Sequence, residues 1–182
     1  MASIYEKRTW QSSDKDLPYL KNTAVWRPSC NKFYYNISDI TTPATNWDPC
    51  NNSATSNKYW GGHTNHNGVD KPHFFWKPSY NLNISKAPVV KSIRFGDGYE
   101  QRIEDGINHN LNIIDLKFEN RSLIESTAIL HFLEHRGGTE SFVFTPPPPY
   151  ARASLYVCRN WDSSYVFYDN YSIKMQLEEV PE

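Results

Sequence analysis

From Ile114 to Glu119 apolar and polar residues alternate without a break: Ile114, Leu116 and Phe118 interleave with Asp115, Lys117 and Glu119. Near the C-terminal end Ile173, Met175 and Leu177 repeat the pattern with Lys174, Gln176 and Glu178. Successive side chains of an extended chain point to opposite faces, so each stretch predicts a strand with one face buried and one face wet. Between them lies a single helix signal. Ser122-Leu123-Ile124-Glu125 has the form of a capping box, in which Ser122 accepts from the backbone three residues on and Glu125 reaches back. The helix should run to about Arg136. There Gly137-Gly138 ends it, because glycine tolerates the left-handed geometry of a C-terminal cap.

The neighbouring stretches extend this grammar. Val89 to Phe95 is a β-branched and aromatic run, closed by Gly96-Asp97-Gly98 and followed by Tyr99 to Ile103. Glycine on both sides of an aspartate permits positive φ, which predicts a tight hairpin. Ser141 to Phe144 reads as extended, and Pro146-Pro147-Pro148-Pro149 as a stiff link that no helix can cross. The order is hairpin, strand, helix, strand, proline link, strands. That predicts a mainly β fold, a sandwich or barrel, with one flanking helix. The chain changes character near residue 72. Residues 1–72 hold 8 Lys+Arg and 6 Asp+Glu (net +2), and residues 73–182 hold 11 and 14 (net −3). We expect a small β-rich extension over 1–72, with short strands at Ala24–Trp26, Lys32–Tyr35 and Tyr59–Trp60, and one larger domain over 73–182.

Composition removes several function classes. The net charge of −1 over 182 residues leaves no basic footprint for nucleic acid. No apolar run of about 18 residues exists, so no membrane span is expected. The first residues, MASIYEKRTW, contain no apolar core of a secretory signal. Cys30, Cys50 and Cys158 form no C-x-x-C pair. Cys30 and Cys50 could bridge under oxidising conditions. For a protein assembled in reducing cytosol the expectation is two free thiols.

Three stretches invite a chemical reading. His131-Phe132-Leu133-Glu134-His135 matches H-x-x-E-H, which sets two histidines on one helical face as a zinc hydrolase would. The helix stops one residue later, no second helix supplies a third ligand, and the same helix spends a face on the core. We therefore expect surface or interfacial histidines and no metal. His63, His66 and His73 fall in a stretch rich in Gly and Asn, which reads as a solvated loop. The Gly96-Asp97-Gly98 turn leads into a strand, whereas a phosphate loop leads into a helix. No nucleophile, base and oxyanion donor can be assembled, so no enzyme and no cofactor is expected. The six tryptophans (Trp10, Trp26, Trp47, Trp60, Trp76, Trp161) would suit sugar faces or a protein interface if exposed, or a core if not.

Two groups of motifs occur together and in order. Arg94-Phe95-Gly96-Asp97-Gly98-Tyr99, Gln101-Arg102 and Gly106-Ile107-Asn108 form one. Phe132-Leu133-Glu134, Gly137-Gly138, Ser141-Phe142 and Thr145-Pro146-Pro147 form the other. Both closely resemble the phage minor tail protein M family, and Phe74-Phe75-Trp76-Lys77-Pro78 is also similar. The resemblance covers about residues 73–182. The extension of about 70 residues in front and the longer proline run depart from it. The resemblance implies a tail-tube-like β-sandwich that assembles as a homo-hexameric ring at the distal end of a long tail. That ring would join the tail tube protein to other tail tip proteins and line the channel through which DNA passes. It also implies assembly in host cytoplasm and no reaction. The alternative is a carbohydrate- or receptor-binding accessory protein of the tail, with residues 1–72 as its binding module.

Overall fold

The computed structural model describes residues 20–38, 50, 59–79, 82–86, 88–106, 108 and 110–181. The two alternating segments are neighbours in one sheet. Strand β9 (Asn112–Arg121) pairs antiparallel with β12 (Asn170–Glu179), setting Ile114 against Leu177, Leu116 against Met175 and Phe118 against Ile173. All six are buried, so the period-two pattern does mark a core face. β11 (Ser154–Phe167) and β10 (Phe142–Phe144) extend the sheet on one side, and β6 (Asn83–Lys86) on the other. The order is β10-β11-β12-β9-β6.

One α-helix, α1 (Leu123–Arg136), follows β9 and closes the core. Ala128, Ile129, Phe132, Leu133 and Arg136 are buried, at the spacing of one helical face. Phe132 meets Phe74 at 5.6 Å, Phe142 at 5.3 Å and Trp76 at 5.7 Å between ring centroids. The bulky rings supply the core volume. The outcome is a mainly β protein with one flanking helix, as expected.

The described residues before residue 72 fold onto that core. β1 (Ala24–Arg27), β2 (Lys32–Asn36) and β3 (Trp60–Gly61) make a three-stranded sheet, and β4 (His63–His66) and β5 (Val69–Pro72) a hairpin. Tyr35 of β2 is fully buried in the main core, against Trp76 at 5.1 Å. Val25, Tyr34 and Trp60 form a second, small core. The stretch expected to be a solvated loop is thus the β4–β5 hairpin, turned by Asn67 and Gly68 with positive φ.

Cys30 and Cys50 are disulfide-bonded, which corrects the expectation of two free thiols; Cys158 is free and buried. The tight turn between β1 and β2 carries Cys30 to the small core, where Cys50 also packs. Sequence spacing could not show that proximity. The bond closes a loop of sequence separation 20. Its reduction should lower unfolding free energy by about 3 kcal/mol, mainly by freeing the unfolded chain. Urea unfolding with and without a phosphine reductant measures this, and identical midpoints would count against the bond.

Candidate assembly site

Among the described strands, β7 (Val90–Arg94) and β8 (Glu100–Glu104) pair only with each other. They form a two-stranded arm joined by Phe95, Gly96, Asp97, Gly98 and Tyr99. Asp97 at φ 68° and Gly98 at φ 80° make the turn, closed by the Phe95 N–H donating to the Tyr99 carbonyl at 2.8 Å. Residues directly opposite in an antiparallel pair share a face. Val90, Ser92 and Arg94 oppose Glu104, Arg102 and Glu100, so one face is largely charged. Lys91 opposes Ile103 and Ile93 opposes Gln101 on the other, which continues into Phe95 and Tyr99. Ile93, Phe95, Tyr99 and Ile103 are 39%, 50%, 68% and 44% exposed. An isolated two-stranded ribbon is marginal in water, and an apolar stripe on one invites a partner.

A second apolar surface lies at the end of the core. A groove of about 910 Å³ runs between the Phe74–Ser79 segment and the start of the proline link. Phe75, Trp76, Pro78, Leu82, Thr145 and Pro147 are among its walls. Ser141 leads into β10 and Phe142 is a core residue. Beyond β10, Thr145 and Pro147 are exposed and Pro146 is buried. Arg121 stands at the groove with Nη1 on Glu125 at 2.9 Å and Nη2 donating to the Lys77 carbonyl at 3.1 Å.

The helix caps position this region. The Ser122 hydroxyl accepts from the Glu125 N–H at 3.4 Å. The Glu125 carboxylate turns to Arg121, where the sequence pattern had it reaching back to the cap. Gly137 is left-handed at φ 58°, and its N–H bonds to the Leu133 and Glu134 carbonyls. Gly138 also has positive φ, and a Cβ there would stand 3.4 Å from the Cys158 carbonyl oxygen. That approach lets the helix end lie against β11.

Of the two H-x-x-E-H histidines, His131 is buried under the extension and His135 stays exposed. Phe33 of β2 packs edge-on against His131 at 4.6 Å and His135 at 5.0 Å. His131 Nδ1 bonds to the Tyr35 hydroxyl at 2.9 Å. Burial, then the neighbouring His135 and Arg136, lower the His131 pKa to about 4. His63 is lowered to about 4 chiefly by burial, with Asp70 opposing and Lys32 and Arg136 reinforcing the shift. Among the described residues no group of three or more His, Cys, Asp and Glu could hold a metal ion. The described tryptophans likewise turn inward: Trp60 and Trp76 are buried, and Trp26 leans on Phe33 at 4.7 Å, whereas Phe95, Tyr99, Tyr165, Phe167 and Tyr168 are exposed. None of the four described tryptophans is exposed; Trp10 and Trp47 lie outside the described residues.

The face of the main sheet away from the core is apolar and buried at its β10 end, where Val143, Leu155 and Val157 lie, and polar over β9, β12 and the later half of β11. Gln176 donates to Asp115 at 2.9 Å and Asn83 to the same carboxylate at 3.2 Å. Asp162 lies opposite Lys174, and Arg159 pairs with Glu178. Acidic groups on this face (Asp115, Glu119, Asp162, Glu178) slightly outnumber basic ones (Lys117, Arg159, Lys174).

Comparison with known proteins places these features. The profile of the family described as phage minor tail protein matches residues 72–181, more than half of the chain. Tail tip protein M of Escherichia phage lambda is 36% identical over 90 residues, which cover 50% of this chain and 81% of that protein. Tail tip protein M of Escherichia phage N15 is 29% identical over 75 residues, covering 38% of this chain and 64% of that protein. Among solved structures, a chain of "Tail of empty GTA particle computed with helical refinement, C6 symmetry" is 10% identical, with a TM-score of 0.38 over 56% of this chain and 75% of that one. Nothing about this chain rests on that last likeness. The matched span takes in the arm, the main sheet, the capped helix and the walls of the apolar groove, and on that match the chain belongs to the phage minor tail protein family.

Proposed function

We propose that this chain is a non-catalytic building block that closes with copies of itself into a six-fold ring at the distal end of a long phage tail. The ring would join the tail tube to the tip complex. The observation that carries this is the arm: Ile93, Phe95, Tyr99 and Ile103 form an apolar stripe that the protomer leaves uncovered. Contacts between unlike surfaces of identical subunits close into rings when the rotation permits. The identity with the tail tip proteins of two phages supports a position near the tip.

The polar part of the sheet's outer face, over β9, β12 and the later half of β11, suits a channel wall. It is rich in amides and hydroxyls, and its slight acidic excess gives a passing polyanion nothing to adhere to. Strands β1 and β2, packed on the helix side through Phe33 and Tyr35, would then sit outside that wall.

Cryo-electron microscopy of intact tails tests the reading. We expect six copies around the axis at the distal end. Replacing Phe95 and Tyr99 together by Asp should leave the isolated fold unchanged and yield particles without complete tails. A tail that lacks this chain, or holds one copy off the axis, would refute the reading.

A further inference from the structure

We propose that the apolar face of the β7–β8 arm of one copy seats in the groove between the Phe74–Ser79 segment and the proline link of the next copy. The inference rests on the ring reading and specifies which two surfaces meet. Both are apolar, both lie on one chain, and neither covers the other within the protomer. The arm offers Ile93, Phe95, Tyr99 and Ile103 on a single face, with Phe95 and Tyr99 at its tip 5.9 Å apart between ring centroids. The groove, at about 910 Å³, is large enough for side chains of this size, and Phe75, Trp76, Pro78 and Pro147 give it aromatic and proline walls. Aromatic side chains in desolvated pockets are the usual anchors of an interface.

Charge selects the same pairing. Asp97 projects at the tip of the arm, exposed and in the left-handed region. The rim of the groove carries the exposed Lys77; the Arg121 guanidinium beside it is held by Glu125, the Lys77 carbonyl and Ser79. An acidic tip entering a basic rim fixes the direction of insertion. Two arms lying face to face would instead set like tips together. A contact between arm and groove joins unlike surfaces, so it propagates around an axis and does not stop at a pair.

The test places a photo-reactive benzoylphenylalanine at Tyr99 of the full chain, in assembled tails. Tyr99 is 68% exposed, so the fold should tolerate the change. We expect cross-links to a second copy within residues 73–79 or 144–148, read by mass spectrometry of the joined peptides. A charge swap gives an independent reading. Asp97→Lys and Lys77→Glu should each reduce incorporation of this chain into tails by about two- to five-fold, the range an exposed ion pair supports, and the double variant should recover it. Cross-links to other parts of a neighbouring copy, or to a different tail protein, in tails that do hold a ring of this chain would overturn the docking and leave the ring reading standing. Tails without such a ring would overturn both.

Discussion

Phe132→Ala should destabilise the protein by about 3–5 kcal/mol, the cost of emptying a fully buried aromatic site. Phe132 is 0% exposed. It contacts four rings from three parts of the chain: Tyr35 of β2, Phe74 and Trp76 of the segment leading to β6, and Phe142 of β10. The Arg136 guanidinium lies 5.1 Å from its ring centroid, and Arg136 itself is buried with one ion pair, to Glu140 at 2.6 Å. Removing the ring therefore opens a cavity and leaves a buried cation over empty space. Edge-on contacts of this kind add about 0.5–1.5 kcal/mol each beyond burial. Urea unfolding followed by tryptophan fluorescence gives the value. Leu123→Ala on the same helix, at a site 52% exposed, is the control and should fall within about 0.5 kcal/mol of the parent. A loss below 1 kcal/mol for Phe132→Ala would mean that the helix does not close this core.

The same residue explains what the sequence could and could not say. Its helix was legible because capping and termination are local: Ser122, then Gly137 at φ 58°, mark the ends without reference to anything distant. Strands β9 and β12 were legible because one face of each is buried along its length. β11 was harder to read. Ser154 to Cys158 are all buried, Arg159 sits at a register shift, and most of the strand beyond it is exposed, so no period survives. β4 and β5 carry His, Asn, Asp and Lys and resemble a loop, yet their pairing needs only a turn at Asn67-Gly68. The arm's turn followed from Asp97-Gly98, but its apolar stripe did not. Ile93, Phe95, Tyr99 and Ile103 share a face only through the pairing register, which the turn geometry sets. The groove was not legible, since its two walls are 66 or more residues apart, at Phe75–Ser79 and Thr145–Pro148. The H-x-x-E-H spacing was visible, but the rings that cover it come from β2, about 100 residues earlier.

Two largely buried histidines give the second large effect, on stability against pH. His131 and His63 each have a pKa lowered from 6.5 to about 4 in the folded protein. The unfolded chain therefore binds protons between pH 6.5 and 4 that the folded chain refuses. The group that binds more protons is on the unfolded side, so stability rises with pH through this window. It is fully present above about pH 6.5 and is lost as pH falls toward 4. Each shift corresponds to roughly 3 kcal/mol over the whole window. His73, lowered by burial, acts in the same direction. The charged groups around His63 do not reverse the sign: Asp70 Oδ2 lies 3.4 Å from its Nδ1 but is shared with Lys32. Near His131 the neighbours are His135 and Arg136, both of which oppose protonation. Unfolding midpoints from pH 7 to pH 4 should fall steeply in the parent. His131→Gln should remove roughly 3 kcal/mol of that fall, whatever it costs at pH 7, because a constant packing loss cancels from the slope. His63→Gln should remove a similar share. Parallel curves for parent and both variants would show that these rings take up protons freely in the folded state, and would remove the basis for placing Phe33 and Tyr35 over the helix.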